Sequence, residues 1–417
     1  MNQDTNTTLK RPLPVPTVEE MQKELSQAQS LDDFFGKDGI FARLFARTIE
    51  TMLEGELTGQ LGYERYAAEG RNSGNSRNGK RKRDLRTSAG DQTIQVPRDR
   101  NGEYQPLLLQ KYGKNTNEIE RKVLALYAKG VSTRDIEETL QELYGIEVSA
   151  TTITAITDKV WPQVEAWQNR PLAPLYAIVY LDAFFVKLRR QHRIETVPVY
   201  NVLGVDLDGR RDVLGHWIGD GGEGAQFWLG VLTEMQSRGV QDILIASVDG
   251  LSGFKEAIQA IFPRARVQRC IVHLVRQSLR YVAWKDQKAF VADLKAVYQA
   301  PTSEAAATKL EALTAAWGDR YRMAIRPWET AWDDWTTMFE FPAEIRRLIY
   351  TTNAIEGYHR QLRKVTKTKG AFPTPEAARK LLLLVHQDIV KDWTRPLASW
   401  PLILNQLAIY FHDRLSL

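Results

Sequence analysis

The run Tyr176–Leu188, YAIVYLDAFFVKL, reads as an apolar β-strand with a single carboxylate, Asp182, at its centre. Its neighbours along the strand are near-continuously apolar. Burying an unpaired carboxylate there costs several kcal/mol, so Asp182 requires a compensating partner. An arginine or the backbone amides of a bulge are the ordinary candidates.

The surrounding pattern builds the sheet. After Pro171 and Pro174 the apolar period changes from helical to strand-like. Thr196–Val205 and Arg210–Trp217 read as two further strands in hairpin succession, the last turn at Asp208-Gly209. Gly224–Arg238 reads as an amphipathic helix and Asp242–Val248 (DILIASV) as a short buried strand. Ser252–Ile261 is a second helix, and Ala265–Gln268 a fifth strand. Three strands, helix, strand, helix, strand is an α/β pattern with mixed strand directions. From Cys270 onward the chain reads as almost wholly helical and rich in tryptophan (Trp284, Trp317, Trp328, Trp332, Trp335). At 417 residues it exceeds what one core supports, so two or three units are expected.

Two more carboxylates stand out. Asp249 ends the buried strand in ILIASVDGLSGF, with Gly250 behind it to allow close approach of a ligand. Carboxyl ends of strands are where α/β sheets place their sites; the competing reading is Asp249 as the N-cap of the helix from Ser252. Two carboxylates on neighbouring strands repel unless a cation sits between them, and Mg²⁺ is the natural occupant beside a phosphate substrate. Two such ions drive phosphodiester displacement, chemistry that normally wants a third acidic group. Glu356 in IYTTNAIEGYHRQLRKVTKTKG is the candidate. On a helix from Asn353, Glu356, Arg360, Arg363 and Lys367 share one face, beside the apolar stripe Ile355, Tyr358, Leu362 and Val365. The alternative is a capping box between Asn353 and Glu356. Cys270 and His273 have the spacing of half a zinc site, but no second pair is available, and a core cysteine with a hydrogen-bonded histidine at a helix start fits better.

Toward the N-terminus, residues 1–17 read as a flexible tail, and Thr17–Leu61 as a helical stripe (Phe34, Phe35, Phe41, Leu44, Phe45, Ile49, Met52, Leu53) that suits either core or a dimerisation arm. Residues 71–100 hold nine Lys/Arg against three Asp, a net +6 where the whole chain is +5, so the remainder sums to −1. A basic loop, with Lys80, Arg81, Lys82, Arg83 and Arg86, feeds a short strand Thr93–Val96, followed by Arg98 and Arg100. This is a grip for a polyanion such as nucleic acid, or a solvated loop. Residues 117–167 read as three short helices, with Ser132 and Ser149 as caps and Lys129-Gly130 and Gly145 as stops, a helix-turn-helix-like unit. No run of about 18 apolar residues and no secretory leader is present, and the single cysteine suits a reducing compartment, so a soluble intracellular protein is expected.

YLDAFFVK, SVDGLSGFKEAI, VQRCIVHLVRQSLRYV and IYTTNAIEGYHRQLRKVTKTKG together resemble the bacterial insertion-sequence transposases of the mutator type. LGYER, RNGK, VPRDRNGEYQP, LYAKGVSTRDI and AITDKVWPQVEAWQNRPL resemble them as well, in the same order, from about residue 55 to 410. The resemblance implies a ribonuclease H-like α/β core with a mixed sheet, interrupted by an all-α insertion and preceded by a mainly helical DNA-binding and dimerisation region. It implies that Asp182, Asp249 and Glu356 form a catalytic triad binding two Mg²⁺, with Mn²⁺ able to substitute. It further implies binding of double-stranded DNA at terminal inverted repeats, a dimer or larger assembly, DNA cutting and joining, and a cytoplasmic, nucleoid-associated place of work. Arg360, Arg363, Lys364 and Lys367 would hold the strand near the metals, and Cys270 and His273 match a structural or DNA-proximal element. After Glu356 this chain has Gly357-Tyr358-His359-Arg360 where many relatives have an Asn-Arg run.

The expected division is residues 1–17 tail; 18–70 helical; 71–115 basic loop and β-unit; 116–170 helix-turn-helix-like; 171–268 core; 269–345 insertion; 346–417 C-terminal helices with the third acid. Two rivals remain at this level: an inactive DNA-binding regulator derived from such an enzyme, and a structure-selective nuclease that cuts without joining.

Overall fold

The computed structural model describes residues 40–70, 73–87, 90–107, 109, 117–219, 224–250 and 253–415, with isolated positions 19, 22, 23 and 26. The tail, Phe34 and Phe35 lie outside these residues. The chain divides into two units, Met1–Lys159 and Val160–Leu417.

In the first unit, α1 (Ile40–Leu61) lies on a two-stranded hairpin of β1 (Arg77–Thr87) and β2 (Gly90–Asp99). Leu53 packs with Leu85, Ile94, Val96 and Leu109 to form a small core, while Phe41 and Phe45 stay exposed. The basic stretch expected as a loop is therefore a strand: Lys80–Arg86 pair with Asp91–Pro97 across the hairpin. The apolar Ile94 and Val96 supply a buried face that a solvated loop lacks.

Three helices follow: α2 (Asn117–Ala128), α3 (Thr133–Tyr144) and α4 (Ala150–Asp158). Ser132 and Ser149 cap α3 and α4 by accepting from Asp135 N and Thr152 N, and Gly145 closes α3 at φ 60°. Three helices over residues 117–167 would take the third on to about Trp167. It ends instead at Asp158, and α5 (Trp161–Gln168) starts anew with a proline in its first turn.

The second unit is built on a sheet of β3 (Leu175–Arg190), β4 (Arg193–Val205), β5 (Arg211–Ile218), β6 (Asp242–Val248) and β7 (Arg266–Arg269), in spatial order β5-β4-β3-β6-β7. β3, β4 and β5 are antiparallel neighbours; β6 and β7 run parallel to β3. β3 is buried on both faces through Asp182 and alternates beyond it, as its sequence does. The β3–β4 turn, Gln191-His192, holds both residues at positive φ, the geometry of a tight hairpin without glycine. Helices α6 (Ala225–Ser237) and α7 (Phe254–Ile261) cover one face through Trp228, Leu232, Phe254 and Ile258.

The opposite face packs on helices that follow β7: α8 (Ile271–Leu279), α9 (Trp284–Tyr298), α10 (Ser303–Thr330), α11 (Trp332–Trp335) and α12 (Ala343–Ile349). Buried tryptophans there are satisfied, Trp328 Nε1 donating to Ser278 Oγ and Trp335 Nε1 to the Trp328 carbonyl. The chain then returns to the sheet with α13 (Asn353–Lys369), the short β8 (Ala371–Phe372) beside β3, α14 (Pro375–Val390) and α15 (Trp400–Tyr410). The link into α13 is tied down: Tyr180 Oη donates to the Leu348 carbonyl, Ser247 Oγ to the Ile349 carbonyl, and Ile271 N to the Tyr350 carbonyl. Among the described residues no helix is long and apolar enough to cross a membrane.

Candidate active site

β3 and β6 are parallel and in register, with Leu181 opposite Val248. The next residue on each is an aspartate, so the backbone alone sets Asp182 and Asp249 side by side, at a strand spacing of about 5 Å. Asp182 is 6% exposed. Its Oδ1 accepts from Ala183 N at 2.9 Å, and its Oδ2 lies 3.3 Å from Nδ1 of the fully buried His359. Of the partners expected for this carboxylate, the structure supplies one backbone amide; His359 stands near it in place of the expected arginine, but neither of its ring nitrogens makes a hydrogen bond among the described residues.

Asp249 is half-buried and does not cap a helix. α7 begins at Phe254, with Gly253 as its N-cap at φ 78°, later than the expected Ser252, which lies outside the described residues. Gly250 takes φ +89°, and a Cβ there would overlap the Arg269 side chain.

Glu356 sits in the first turn of α13, across from Asp182. The capping box does not form: Thr352 is the N-cap, Asn353 is already helical, and no side chain caps this end. Glu356 instead takes Arg276 from α8, with Nη1–Oε1 at 2.7 Å and Nη2–Oε2 at 3.2 Å. A bidentate charged pair is stronger than a neutral backbone amide donor, which is why the cap loses. His273, one turn before Arg276, has its Nε2 3.9 Å from Glu356 Oε1. Burial opposes its charge, but the Cys270 sulfur and the carboxylates of Asp182 and Asp249 prevail and raise its pKa to about 9. Cys270 is a buried N-cap whose Sγ lies 3.4 Å from Thr352 Oγ1, and its sulfur also interacts with the His273 side chain.

Asp182, His273, Arg276, Asn353 and Glu356 line one cavity of about 650 Å³ together with Arg360, Arg363, Lys364 and Lys367. Helical spacing gathers these four cations on one face, and none is ion-paired among the described residues. Among the described residues no three His, Cys, Asp or Glu side chains are gathered to hold one ion, Glu356 being engaged by Arg276. Asp182 and Glu356 are the carboxylates that line this cavity, while Asp249, on the strand beside Asp182, is not part of its lining; carboxylate oxygens are nonetheless the donors that fit a hard divalent cation.

Sequence reasoning missed the groups that fix α13 in place. Tyr358 Oη meets His216 Nε2 of β5 at 2.6 Å and His386 Nδ1 of α14 at 3.2 Å, all three buried. Trp167 packs against both histidine rings. Burial drives His216 well below its usual pKa and His386 down to about 3, so both are neutral. It also missed Arg276, although Arg276 follows His273 by three positions, on one face of any helix starting at Cys270.

The hairpin cations are placed differently. Lys80 pairs with Glu54 at 2.9 Å, and Arg83 is partly buried, which lowers its pKa. Arg81, Lys82, Arg98 and Arg100 are exposed; the side chain of Arg86 lies outside the described residues. The three-helix segment is not basic on its α3 side, where Glu137, Glu138, Glu142 and Glu147 line a cavity with Arg134.

The family model "Transposase, Mutator family" matches residues 17–396. A probable transposase for the insertion sequence element ISRM3-like of Sinorhizobium fredii is 41% identical over 396 residues, 95% of this chain and 98% of that protein. A probable insertion-sequence transposase of Corynebacterium diphtheriae is 38% identical over 341 residues, covering 77% and 99%. The transposase of IS256 in transposon Tn4001 of Staphylococcus aureus is 25% identical over 371 residues, covering 88% and 94%.

Proposed function

The chain belongs to the mutator family of transposases, and from that premise we propose that it binds the terminal inverted repeats of its own insertion sequence and carries out Mg²⁺-dependent DNA cleavage and strand transfer. The observation that carries this reading is the single cavity in which Asp182 and Glu356 stand at the head of four unpaired cations. Three antiparallel strands followed by two parallel ones, with helices on both faces, support a ribonuclease H-like core, and α8–α12 would be its insertion.

Asp182 and Asp249 would hold divalent ions from adjacent strands, with Glu356 joining once Arg276 gives it up. A phosphate entering the cavity offers Arg276 an alternative bidentate partner. When bound, the two ions supply an activated oxygen nucleophile and stabilise the leaving oxygen. Arg360, Arg363, Lys364 and Lys367 hold the strand by its phosphates without reading bases. Cleavage by water and joining by the freed 3′-hydroxyl are both in-line displacements at phosphorus, so one site serves both. The exposed hairpin cations Arg81, Lys82, Arg98 and Arg100 would grip end DNA, within a dimer or larger assembly.

The test uses a labelled duplex ending in the inverted repeats that flank the gene, with Mg²⁺ or EDTA. Mg²⁺-dependent nicking and joining are expected, falling by roughly a thousandfold or more in Asp249→Asn and Asp182→Asn. Full-rate cutting by either variant sinks the site assignment. Nicks without joining mean a nuclease, and tight binding without cutting means a regulator.

A further inference from the structure

A second cavity, about 700 Å³, opens where β6 and β7 end against α8 and α10. It shares α8 with the candidate active site: His273 and Arg276 line the first cavity, while Gln277, and Tyr281 just past the helix, line the second. Three cations face it. Lys255 is paired with Asp334 at 2.7 Å. Arg269 has no such partner among the described residues: its Nη2 donates to the neutral Gln277 Oε1 at 3.2 Å, and its buried Nε meets no acceptor there. Burial lowers its pKa, with Asp334 and Asp249 opposing from a distance. Arg326 is exposed and unpaired among the described residues. Although Glu256 also lines the cavity, no ion pair joins it to either arginine. A guanidinium left short of acceptors at a cavity wall is matched by an oxyanion.

The rim adds a second observation. Tyr281 and Met323 line this cavity and are each 50% exposed; Trp284, outside the lining but three residues beyond Tyr281 in sequence, at the start of α9, is 88% exposed. Arg280 and Lys285 beside them are exposed as well. Open rings interleaved with cations suit an unpaired nucleic-acid strand, since every base has a face to stack while the cations take the phosphates.

We propose that this cavity is a single-strand DNA subsite, in which Arg269 and Arg326 hold a phosphate while Tyr281 and Trp284 stack on unpaired bases next to the cleaved position. The proposal rests on the DNA-cleaving reading above and deepens it. In this arrangement the helices after β7 carry the strand away from the candidate active site along α8.

The test measures fluorescence anisotropy of the full chain in EDTA, with the inverted-repeat duplex either blunt or extended by a short unpaired flank. Wild type should bind the flanked duplex more tightly. Tyr281→Ala/Trp284→Ala should weaken binding to the flanked duplex about tenfold and to the blunt one by less than about twofold. Arg326→Gln should reduce the salt slope by about one on the flanked duplex only. These side chains are exposed, so unchanged thermal unfolding serves as the folding control. Equal losses on both duplexes, or none, overturn the subsite. If wild type binds both duplexes alike, the subsite falls and the DNA-acting reading stands. If wild type binds neither, that reading falls too.

Discussion

Two stretches of this chain are dense in Arg and Lys, the hairpin strand β1 and the helix α13, and the fold uses them in different ways. On β1 successive side chains alternate faces, so the charges are divided between the two sides of the hairpin. Lys80 is used on Glu54, and Arg77 donates to Thr58 Oγ1 and the Tyr63 carbonyl. On α13 steps of three and four bring Arg360, Arg363, Lys364 and Lys367 to one wall of one cavity, facing Asp182 and Glu356. Charge density in sequence is thus a poor guide to charge available at a point. The period of the secondary structure decides whether like charges spread or converge.

The comparison can be broken most directly by removing cations from each stretch in turn. Arg363→Gln/Lys367→Gln should slow cleavage by about a hundredfold and lower the salt slope of DNA binding by about two. Arg81→Gln/Lys82→Gln should lower the slope similarly while leaving the cleavage rate of bound DNA within about threefold. Gel-based cleavage of pre-bound DNA, beside titrations at several salt concentrations, separates the two. Equal loss of cleavage rate in both pairs would end the distinction.

α13 can point its cations because its far side is fixed. Tyr358→Phe removes the hydroxyl shared by His216 and His386 and leaves buried ring nitrogens unpaired, at a cost of about 1–3 kcal/mol. A lowered thermal midpoint should appear, and an unchanged midpoint would show that the network does not hold the helix. Lys80, by contrast, makes only a partly exposed ion pair with Glu54, so Lys80→Gln should shift the midpoint far less.

The same network sets a pH dependence. Neutral burial depresses the folded pKa of His386 to about 3 and that of His216 well below 6.5. Because the unfolded chain then binds more protons, stability is full above about pH 6.5 and falls as pH drops toward about 3, by roughly 1.4 kcal/mol per pH unit for His386, with His216 acting in the same direction. Denaturant midpoints across that window should fall less steeply in His386→Gln. An identical slope would remove His386 from the account.

Much of the second unit was legible because its signals are local. β6 spans Asp242–Val248 as its apolar run does, and α6 lies between the expected limits Gly224 and Arg238, which cap it. Ser132 and Ser149 act as caps because an N-cap needs only its own next three residues. The failures lie where a distant group competes. The Asn353–Glu356 capping box lost to Arg276, 80 residues away in sequence. The basic loop became a strand once a partner strand with a buried face lay across from it. Tyr358, read as part of an apolar stripe, turned out to carry a buried polar junction.

Sequence alone determined the three carboxylates, the strands and helix that carry them, and the helical face that lines up the cations, because strand and helix periods are written in neighbouring residues. Tertiary structure alone decided that Asp182 and Asp249 stand abreast, since parallel register depends on how β3 and β6 align across the intervening chain. It likewise decided that Arg276 and His273 face Glu356, and that His359 backs Asp182. Those contacts join segments far apart in the chain, and their energies depend on burial and on competing partners, which no local pattern encodes.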